Sequence, residues 1–390
     1  MTQGNQNKLV LFGAGKIGRS FIGQVFSRSG YEVVFVDIDR QLIDHLNKSG
    51  QYKVIIKNPK GDQTILVTPV RGIHLTETEQ VIEELAGASI AALSVGQQGM
   101  SAALPVIARS LLLRRHQYGD WPLDIIIAEN MRNADQFIST ELARLLPPDF
   151  PVSTLVGLVE TSIGKMVPIM SQRDVENDPL QIFAESYNSL IVAKNGFKNP
   201  VPEVSFLSPK ENIKAWVDRK LFIHNLGHAT AAYLGFQKNP GWMFMEEVLS
   251  DSQIFDTTRQ TMSQAADILI ALYPDEFTRS QLEEHMDDLL ERFKNKALGD
   301  TVFRVGCDLY RKLSPEDRLV APILAAKSFN RPYDLILKAL IAGISFRARD
   351  EKGRYHPSDE LFFVEAEKGV DYILQNICKL RISEEQEERR

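Results

Sequence analysis

One segment near the N-terminus restricts the possible folds more than any other. The apolar run Lys8–Phe12 is typical of a buried parallel strand, and the sequence GAGKIG of residues 13–18 follows it at once. A helical pattern runs from Arg19 to Arg28, and a second strand pattern, Tyr31–Val36, ends in Asp37, 19 positions after Gly18. A lone G-x-G-x-x-G is weak evidence, but this context predicts a dinucleotide-binding βαβ unit.

Each glycine of this motif has a steric reason to be there. Gly13 makes the tight turn, Gly15 lets the backbone approach a pyrophosphate, and Gly18 lets helix and strand pack closely. The free N–H groups at the helix N-terminus attract the phosphates. Asp37 can accept hydrogen bonds from the ribose hydroxyls and would repel a 2′-phosphate, which favours NAD over NADP, although Arg40 nearby tempers that preference. The alternative is a structural glycine turn without a ligand. Candidate cofactor contacts are Gly13, Ala14, Gly15, Lys16, Ile17, Gly18 and Asp37.

Two later apolar runs fit the same sheet. Ile90–Val95 ends at Gly96, which adds Ser94 and Gly96 to the candidate cofactor contacts. Leu123–Ile127 is followed closely by Asn130. Ligands of open α/β sheets bind at the carboxyl ends of the strands, so Asn130 is placed to reach a substrate. Capping the helix that follows is an equally good interpretation of Asn130, and both remain open.

The chain as a whole predicts two domains of different class. It has 390 residues, of which 44% are hydrophobic and 25% charged. Strand patterns dominate the first half, and helical patterns dominate from Glu211 onward. We therefore expect α/β plus all-α: an N-terminal Rossmann-type doubly wound sheet in residues 1–208, followed by a mainly helical C-terminal domain in residues 209–390 that contributes to the substrate site.

Several classes of protein are not expected. A net charge of −6 gives no general attraction to nucleic acid or to an anionic membrane. No apolar run approaches a membrane span, and the polar N-terminus has no signal-peptide core. Cys307 and Cys378 lie far apart and no zinc spacing is present, so we predict a reduced cytoplasmic protein that binds no metal.

One helical segment of the second half carries unusual side chains. In a regular α-helix, Lys220, Asn225 and His228 fall within an arc of roughly 140°. An amine, an amide and an imidazole in one cleft would suit removal of a hydroxyl proton while the oxygen is held. The alternative is a packed helix in which the lysine reaches solvent along its apolar stem and the other two pair locally.

These motifs together resemble the polyol-specific long-chain dehydrogenases. The spacing Lys220-(four residues)-Asn225-Leu-Gly-His228-Ala resembles the family's catalytic signature, and the resemblance covers nearly the whole chain. A branch of the family that acts on sugar-alcohol phosphates has similar motifs at residues 12–23, 128–131, 219–222, 227–229, 233–235, 304–306 and 311–319, and a similar compact length.

The resemblance implies an NAD-dependent oxidoreductase that interconverts mannitol 1-phosphate and fructose 6-phosphate. It implies that Lys220 is the general base in alcohol oxidation, that Asn130 and Asn225 hold the reacting oxygen, and that His228 orients the substrate or the base. It implies no metal, and it implies a monomer. A lysine base that acts near neutral pH needs a lowered pKa, which a dry cleft would provide.

An anionic substrate needs a local group of cations in this acidic protein. Arg304, Arg311, Lys312 and Arg318 cluster along the chain and are candidate phosphate ligands, although each also suits a solvated surface. The chain departs from the family pattern at Gly164-Lys165 and at Asn295-Lys296, and also at Lys16, where the family usually has asparagine.

Two other functions remain open at this point. A family member could act on an unphosphorylated polyol, a ketose or a hexuronate instead. A protein that senses NAD without catalysis is a more distant alternative, because a sensor does not need a base.

Overall fold

The computed structural model describes residues 5–129 and 133–380. The chain forms two compact units, Met1–Ile213 and Lys214–Arg390. The boundary predicted between residues 208 and 209 lies five residues before this division, in the strand that precedes the second unit. Among the described residues, no helix has the length and apolar character needed to cross a membrane.

The strands of the first unit belong to two sheets in the described part of the chain. The strands are β1 Asn5–Phe12, β2 Glu32–Asp37, β3 Tyr52–Ile56, β4 Gln63–Val67, β5 Val70–His74, β6 Ala88–Leu93, β7 Leu123–Ile127, β8 Val156–Ser162, β9 Ile182–Ala184, β10 Leu190–Ala193 and β11 Leu207–Lys210. The larger sheet has the order β11-β10-β8-β7-β6-β1-β2-β5. From β5 to β8 all pairs are parallel, and this part has the classical Rossmann strand order.

The helices of the first unit cover both faces of this sheet. They are a π-helical segment Gly18–Gly23 with α1 Gln24–Ser27, then α2 Arg40–Ser49, α3 Thr78–Ala86, α4 Gly96–Tyr118, α5 Ala134–Leu145, α6 Val152–Leu155 and α7 Gln172–Asn177, with a 3-10 turn Lys194–Gly196. Alternate residues of β1 enter different cores: Leu9 and Leu11 pack in one, Val10 and Phe12 in the other. Burial on both faces explains the continuous apolar runs of these strands.

The sequence patterns of residues 152–167 and 182–187 predict further strands of the large sheet, and both predictions need correction. Val152–Leu155 is a helical turn, so the strand predicted from Val152 begins only at Val156. Ile182–Ala184 does not extend the large sheet, because it pairs with β3 in a separate sheet of order β4-β3-β9. Both errors have the same origin: short apolar runs are compatible with several elements, and long-range pairing selects among them.

The second unit is built from helices in its described part. They are α8 Ile213–Arg219, a π-helical segment Lys220–Asn225, α9 Leu226–Lys238, α10 Met245–Ser250, α11 Ser252–Leu272, α12 Arg279–Phe293, a 3-10 turn Lys296–Leu298, α13 Val302–Gly306, α14 Leu309–Lys312, α15 Val320–Ser328, α16 Asp334–Ile344, α17 Pro357–Ala366 and α18 Val370–Asn376. The predicted fold class, a Rossmann-type sheet followed by a mainly helical domain, is confirmed.

Helical periodicity in the sequence predicts continuous helices over residues 243–273, 301–312 and 359–377, and each of the three is divided in the structure. Asp251 caps α11 by accepting a hydrogen bond from the Ile254 N–H (3.0 Å), which separates α10 from α11. Asp308 adopts φ 71° between α13 and α14, and Gly369 adopts φ 102° between α17 and α18. Helical periodicity continues across these breaks because the helices on both sides of each break bury apolar residues.

Candidate active site

The three motif glycines meet different surroundings. Gly13 has φ +96°, and a Cβ there would lie 2.1 Å from the Ser94 carbonyl oxygen. A Cβ on Gly18 would lie 2.0 Å from the Gly13 carbonyl oxygen. Gly15 is exposed, and a Cβ there would have no atom within 4 Å. Close packing therefore requires Gly13 and Gly18, whereas the space at Gly15 suits the approach of a cofactor pyrophosphate.

Asp37 fixes the glycine loop at its start. One carboxylate oxygen accepts from the Ala14 N–H (2.6 Å), and the other accepts from the Asp39 N–H (3.0 Å). An ionised carboxylate has about four acceptor positions, so two remain for ribose hydroxyls. Ala14 is buried, Ile17 is partly buried, and the Lys16 side chain is exposed at the first turn of the helix. The predicted cofactor, NAD, fits this arrangement.

Glu129 holds the backbone that follows β6 at the predicted cofactor site, and no motif in the sequence had indicated this role. The Ser94 N–H donates to the Phe12 carbonyl (2.8 Å), which joins β6 to the glycine loop. One Glu129 oxygen accepts from the N–H groups of Val95 (2.6 Å) and Gly96 (2.8 Å). The signal available in the sequence was the position of this acidic residue directly after a buried strand. Asn130, the next residue, lies outside the described residues.

Lys165 is buried in the first unit, where the chain departs from the family pattern. Its ammonium donates to the carbonyls of Glu185 (3.1 Å) and Tyr187 (2.8 Å) and to Asn188 Oδ1 (2.9 Å). The Glu185 carboxylate in turn accepts from the Met166 N–H. Lys165, one of the residues that differ from the family pattern, therefore links the segment after β8 to the segment after β9.

The candidate catalytic residues of the second unit lie on a widened helical turn. Residues 220–225 form a π-helix, in which, for example, the Leu226 N–H donates to the Leu221 carbonyl. Bonds from residue i to i+5 place residues five apart about one turn above each other. Lys220 and Asn225 therefore lie closer in azimuth than the roughly 140° expected for a regular α-helix, so the angle predicted for this pair was too large. Single π turns are frequent at functional sites.

The electrostatic surroundings of Lys220 suit a general base. The pKa of Lys220 is lowered from 10.5 to about 8, mainly by burial and next by the Arg318 guanidinium, whereas the Asp317 carboxylate acts in the opposite direction. The amine is therefore available in its neutral form close to physiological pH. Asn225 is partly buried on the same turn.

His228 is held by an aromatic ring and faces a carboxylate. Its ring stacks on Phe293 with centroids 4.3 Å apart and planes at 2°, and its Nε2 lies 3.4 Å from Asp300 Oδ2. Desolvation is the main reason that the pKa of His228 falls to about 4, despite the opposing effect of Asp300. The imidazole is therefore neutral at pH 7. His224 on the same helix is buried against Phe293, at 5.3 Å between centroids.

The structure brings three of the four candidate phosphate ligands close to His228. The charges of Arg318, Arg304 and Lys312 all contribute to lowering the pKa of this histidine. Arg304 pairs with Asp300 (2.5 Å) and Arg318 with Asp317 (2.8 Å). Lys312 is buried and donates to the Val305 carbonyl (2.7 Å).

The fourth candidate phosphate ligand has a different environment. Arg311 bridges Asp308 (2.5 Å) and Asp317 (3.0 Å), and about half of its side chain is exposed. Two carboxylates already satisfy this guanidinium, so it is the least suited of the four to hold a substrate phosphate.

Two family models cover most of the chain. The model of the mannitol dehydrogenase Rossmann domain matches residues 7–206, and the model of the mannitol dehydrogenase C-terminal domain matches residues 212–384. The chain belongs to the mannitol dehydrogenase family. The predicted resemblance is confirmed at this level, and both parts of the family's two-domain organisation are present.

Two solved structures of polyol dehydrogenases are similar in fold to the chain over more than nine-tenths of its length. A substrate-free D-sorbitol dehydrogenase has a TM-score of 0.77 and 17% identity, over 94% of this chain and 85% of that chain. A mannitol 2-dehydrogenase of Pseudomonas fluorescens, in a ternary complex with NAD and D-mannitol, has a TM-score of 0.68 and 15% identity, over 92% of this chain and 83% of that chain. At these identities the similarity establishes the fold.

Proposed function

We propose that this member of the mannitol dehydrogenase family is an NAD-dependent polyol dehydrogenase that interconverts mannitol 1-phosphate and fructose 6-phosphate. An enzyme with this activity is a mannitol-1-phosphate 5-dehydrogenase. The observation that carries the proposal is the lysine with a pKa of about 8 on a π-helical turn shared with Asn225, followed on the same helical segment by His228, on which the charges of three cationic side chains act. The family's two domains support the dehydrogenase chemistry, and the cations support an anionic substrate.

NAD, when bound, supplies the hydride acceptor for alcohol oxidation. The neutral Lys220 amine accepts the proton of the reacting hydroxyl while the carbon loses hydride, which leaves a ketone and an ammonium. In ketone reduction the same ammonium returns the proton to oxygen. The Asn225 amide N–H is suited to donate to the reacting oxygen as negative charge develops there, and Asn130 has the same proposed role.

His228 is suited to orient the substrate without carrying charge. Its neutral imidazole has one N–H donor and one acceptor nitrogen, which can hold a neighbouring hydroxyl in a fixed direction. The stacked Phe293 ring restricts rotation of the imidazole.

The proposed phosphate ligands are Arg304, Lys312 and Arg318, with Arg311 as the weaker candidate. Guanidinium groups bind phosphate by two parallel hydrogen bonds, and in the structure Arg304 pairs with Asp300 and Arg318 with Asp317, each through one guanidinium nitrogen. A hexuronate would also satisfy these cations through its carboxylate. An uncharged polyol would not, which makes the unphosphorylated alternative less suited to the site.

A substrate panel tests the proposal. The purified protein is assayed with NADH and fructose 6-phosphate, fructose, tagaturonate or fructuronate, and we expect fructose 6-phosphate to have the highest kcat/KM. A higher kcat/KM for fructose would reject the phosphate assignment, and a preference for either hexuronate would assign the cations to a carboxylate. NADH binding without turnover of any ketose would support a sensor instead.

Two variants test the residues. Lys220→Ala should abolish turnover while NAD still binds, and undiminished turnover would overturn the assignment of the base. Arg304→Gln should raise the KM for fructose 6-phosphate by roughly tenfold or more, because a charged hydrogen bond to phosphate is lost. Arg354→Gln is the matched control, since Arg354 forms a similar exposed pair with Asp350 (2.8 Å) in the same unit.

A further inference from the structure

The adenosine end of the predicted cofactor site holds an ion pair that the function described above does not use. Arg40 Nη1 lies 2.5 Å from Glu77 Oε1, and its Nη2 lies 3.5 Å from the Thr76 hydroxyl. Arg40 is the first residue of α2, three positions after Asp37, and Glu77 immediately precedes α3.

The strand register explains why these two segments meet. β2 and β5 are parallel neighbours, and Asp37 is paired with His74 at their carboxyl ends. The Leu75 N–H donates to the Asp37 carbonyl (2.9 Å), and His74 Nε2 lies 2.8 Å from the Ile38 carbonyl oxygen. Residues 74–77 are therefore fixed beside residues 37–40, where a Rossmann fold binds the adenosine ribose.

An arginine at this position is what a 2′-phosphate requires. NADP-binding Rossmann folds use an arginine near the end of the second strand to neutralise that phosphate. Here Arg40 has the appropriate position, but a carboxylate already occupies its guanidinium. Asp37 adds a second negative charge on the same side and retains two acceptor positions for ribose hydroxyls.

We propose that Glu77 is a specificity-determining residue, which keeps Arg40 from binding a 2′-phosphate and so makes the site selective for NAD over NADP. This inference rests on the proposed use of NAD. Both side chains of the pair are substantially exposed, with 51% of Arg40 and 39% of Glu77 accessible, so breaking the pair costs the fold little. Removal of the Glu77 charge therefore leaves an arginine that a 2′-phosphate can recruit.

The test compares two nucleotide fragments and needs no sugar substrate. Dissociation constants for AMP and for adenosine 2′,5′-bisphosphate are measured by calorimetry on the wild-type protein and on variants. The ratio of the two constants isolates the 2′-phosphate, because the remaining contacts are shared. In Glu77→Gln we expect the affinity for the bisphosphate, relative to AMP, to rise by roughly tenfold, the usual size of one gained charge-assisted hydrogen bond.

Two further variants separate this mechanism from a general change of charge. Glu79→Gln removes an equal charge two residues away, from an exposed pair with Arg109 (2.6 Å), and should leave the ratio within about twofold of the wild type. The double variant Arg40→Gln/Glu77→Gln should lose the gain. An unchanged ratio in Glu77→Gln, an equal rise in Glu79→Gln, or a gain that survives the loss of Arg40 would each overturn the inference.

The failure of the cofactor assignment has a different signature. If the wild-type protein binds neither AMP nor NADH, the proposed cofactor site is wrong and the specificity inference is wrong with it. If AMP binds and the variants leave the ratio unchanged, only the role of Glu77 is refuted. Thermal melting of each variant confirms that the compared proteins are folded.

Discussion

The pH dependence of turnover should move in a defined direction when Arg318 is changed. The pKa of Lys220 is lowered to about 8, with burial as the largest cause and the Arg318 guanidinium as the next largest. Alcohol oxidation needs the neutral amine, so its rate should rise as the pH rises through about 8. Ketone reduction needs the ammonium, so its rate should fall over the same range.

The size of the effect follows from the fraction of neutral amine. At pH 7 a lysine of pKa 8 is about 9% neutral, whereas an unperturbed lysine is about 0.03% neutral, a difference of roughly 300-fold. Burial is the largest cause of the lowered value and the Arg318 guanidinium the next, so Arg318→Gln should raise the pKa of Lys220. A rise to about 9 would reduce the neutral fraction at pH 7 to about 1% and slow oxidation at that pH by roughly tenfold.

The assay is the pH profile of kcat for mannitol 1-phosphate oxidation at saturating substrate and NAD. A substrate deuterated at the reacting carbon shows whether hydride transfer limits the rate. The midpoint should move upward in Arg318→Gln and return in Arg318→Lys, which restores a positive charge. Asp317→Asn should move it downward, because this carboxylate raises the pKa of Lys220. A midpoint that stays fixed or moves downward in Arg318→Gln would refute the reasoning.

Three other predictions concern the fold and the cofactor edge. Gly13→Ala should lower the free energy of unfolding by about 2 kcal/mol or more, because Gly13 has a positive φ and lies close to the Ser94 carbonyl. Gly15→Val should melt like the wild type and yet weaken NAD binding. Equal melting temperatures for the two variants would contradict this prediction. Arg114→Met should lower the free energy of unfolding, measured in urea, by about 3 kcal/mol, because the buried Arg114 guanidinium donates to four backbone carbonyls. A loss below about 1 kcal/mol would contradict this prediction. Glu129→Ala should raise the KM for NAD by roughly tenfold, because it removes the acceptor for the Val95 and Gly96 N–H groups. Glu129→Gln should raise this KM by much less, because the glutamine side chain keeps an acceptor oxygen. Equal effects of the two variants would show that the charge of Glu129 matters and its hydrogen bonds do not.

Local sequence determined the nucleotide fold of this protein. The strand, the glycine turn, the helix and the acidic residue lie within 37 residues, and each depends on sterics or hydrogen bonds between near neighbours. The change from strand to helical periodicity near Glu211 likewise predicted the second domain. The candidate base could also be predicted from the sequence, because Lys220, Asn225 and His228 lie on one continuous helical segment.

Only the tertiary structure decided the surroundings of that base. Phe293 stacks on His228 from 65 positions away, and Arg318 acts on Lys220 from 98 positions away, distances at which periodicity carries no information. The same holds for the pair of Arg40 and Glu77, which parallel strand pairing brings together. Local spacing fixes which groups share a turn, whereas the burial and the charges that set a pKa come from segments that meet only in the folded chain.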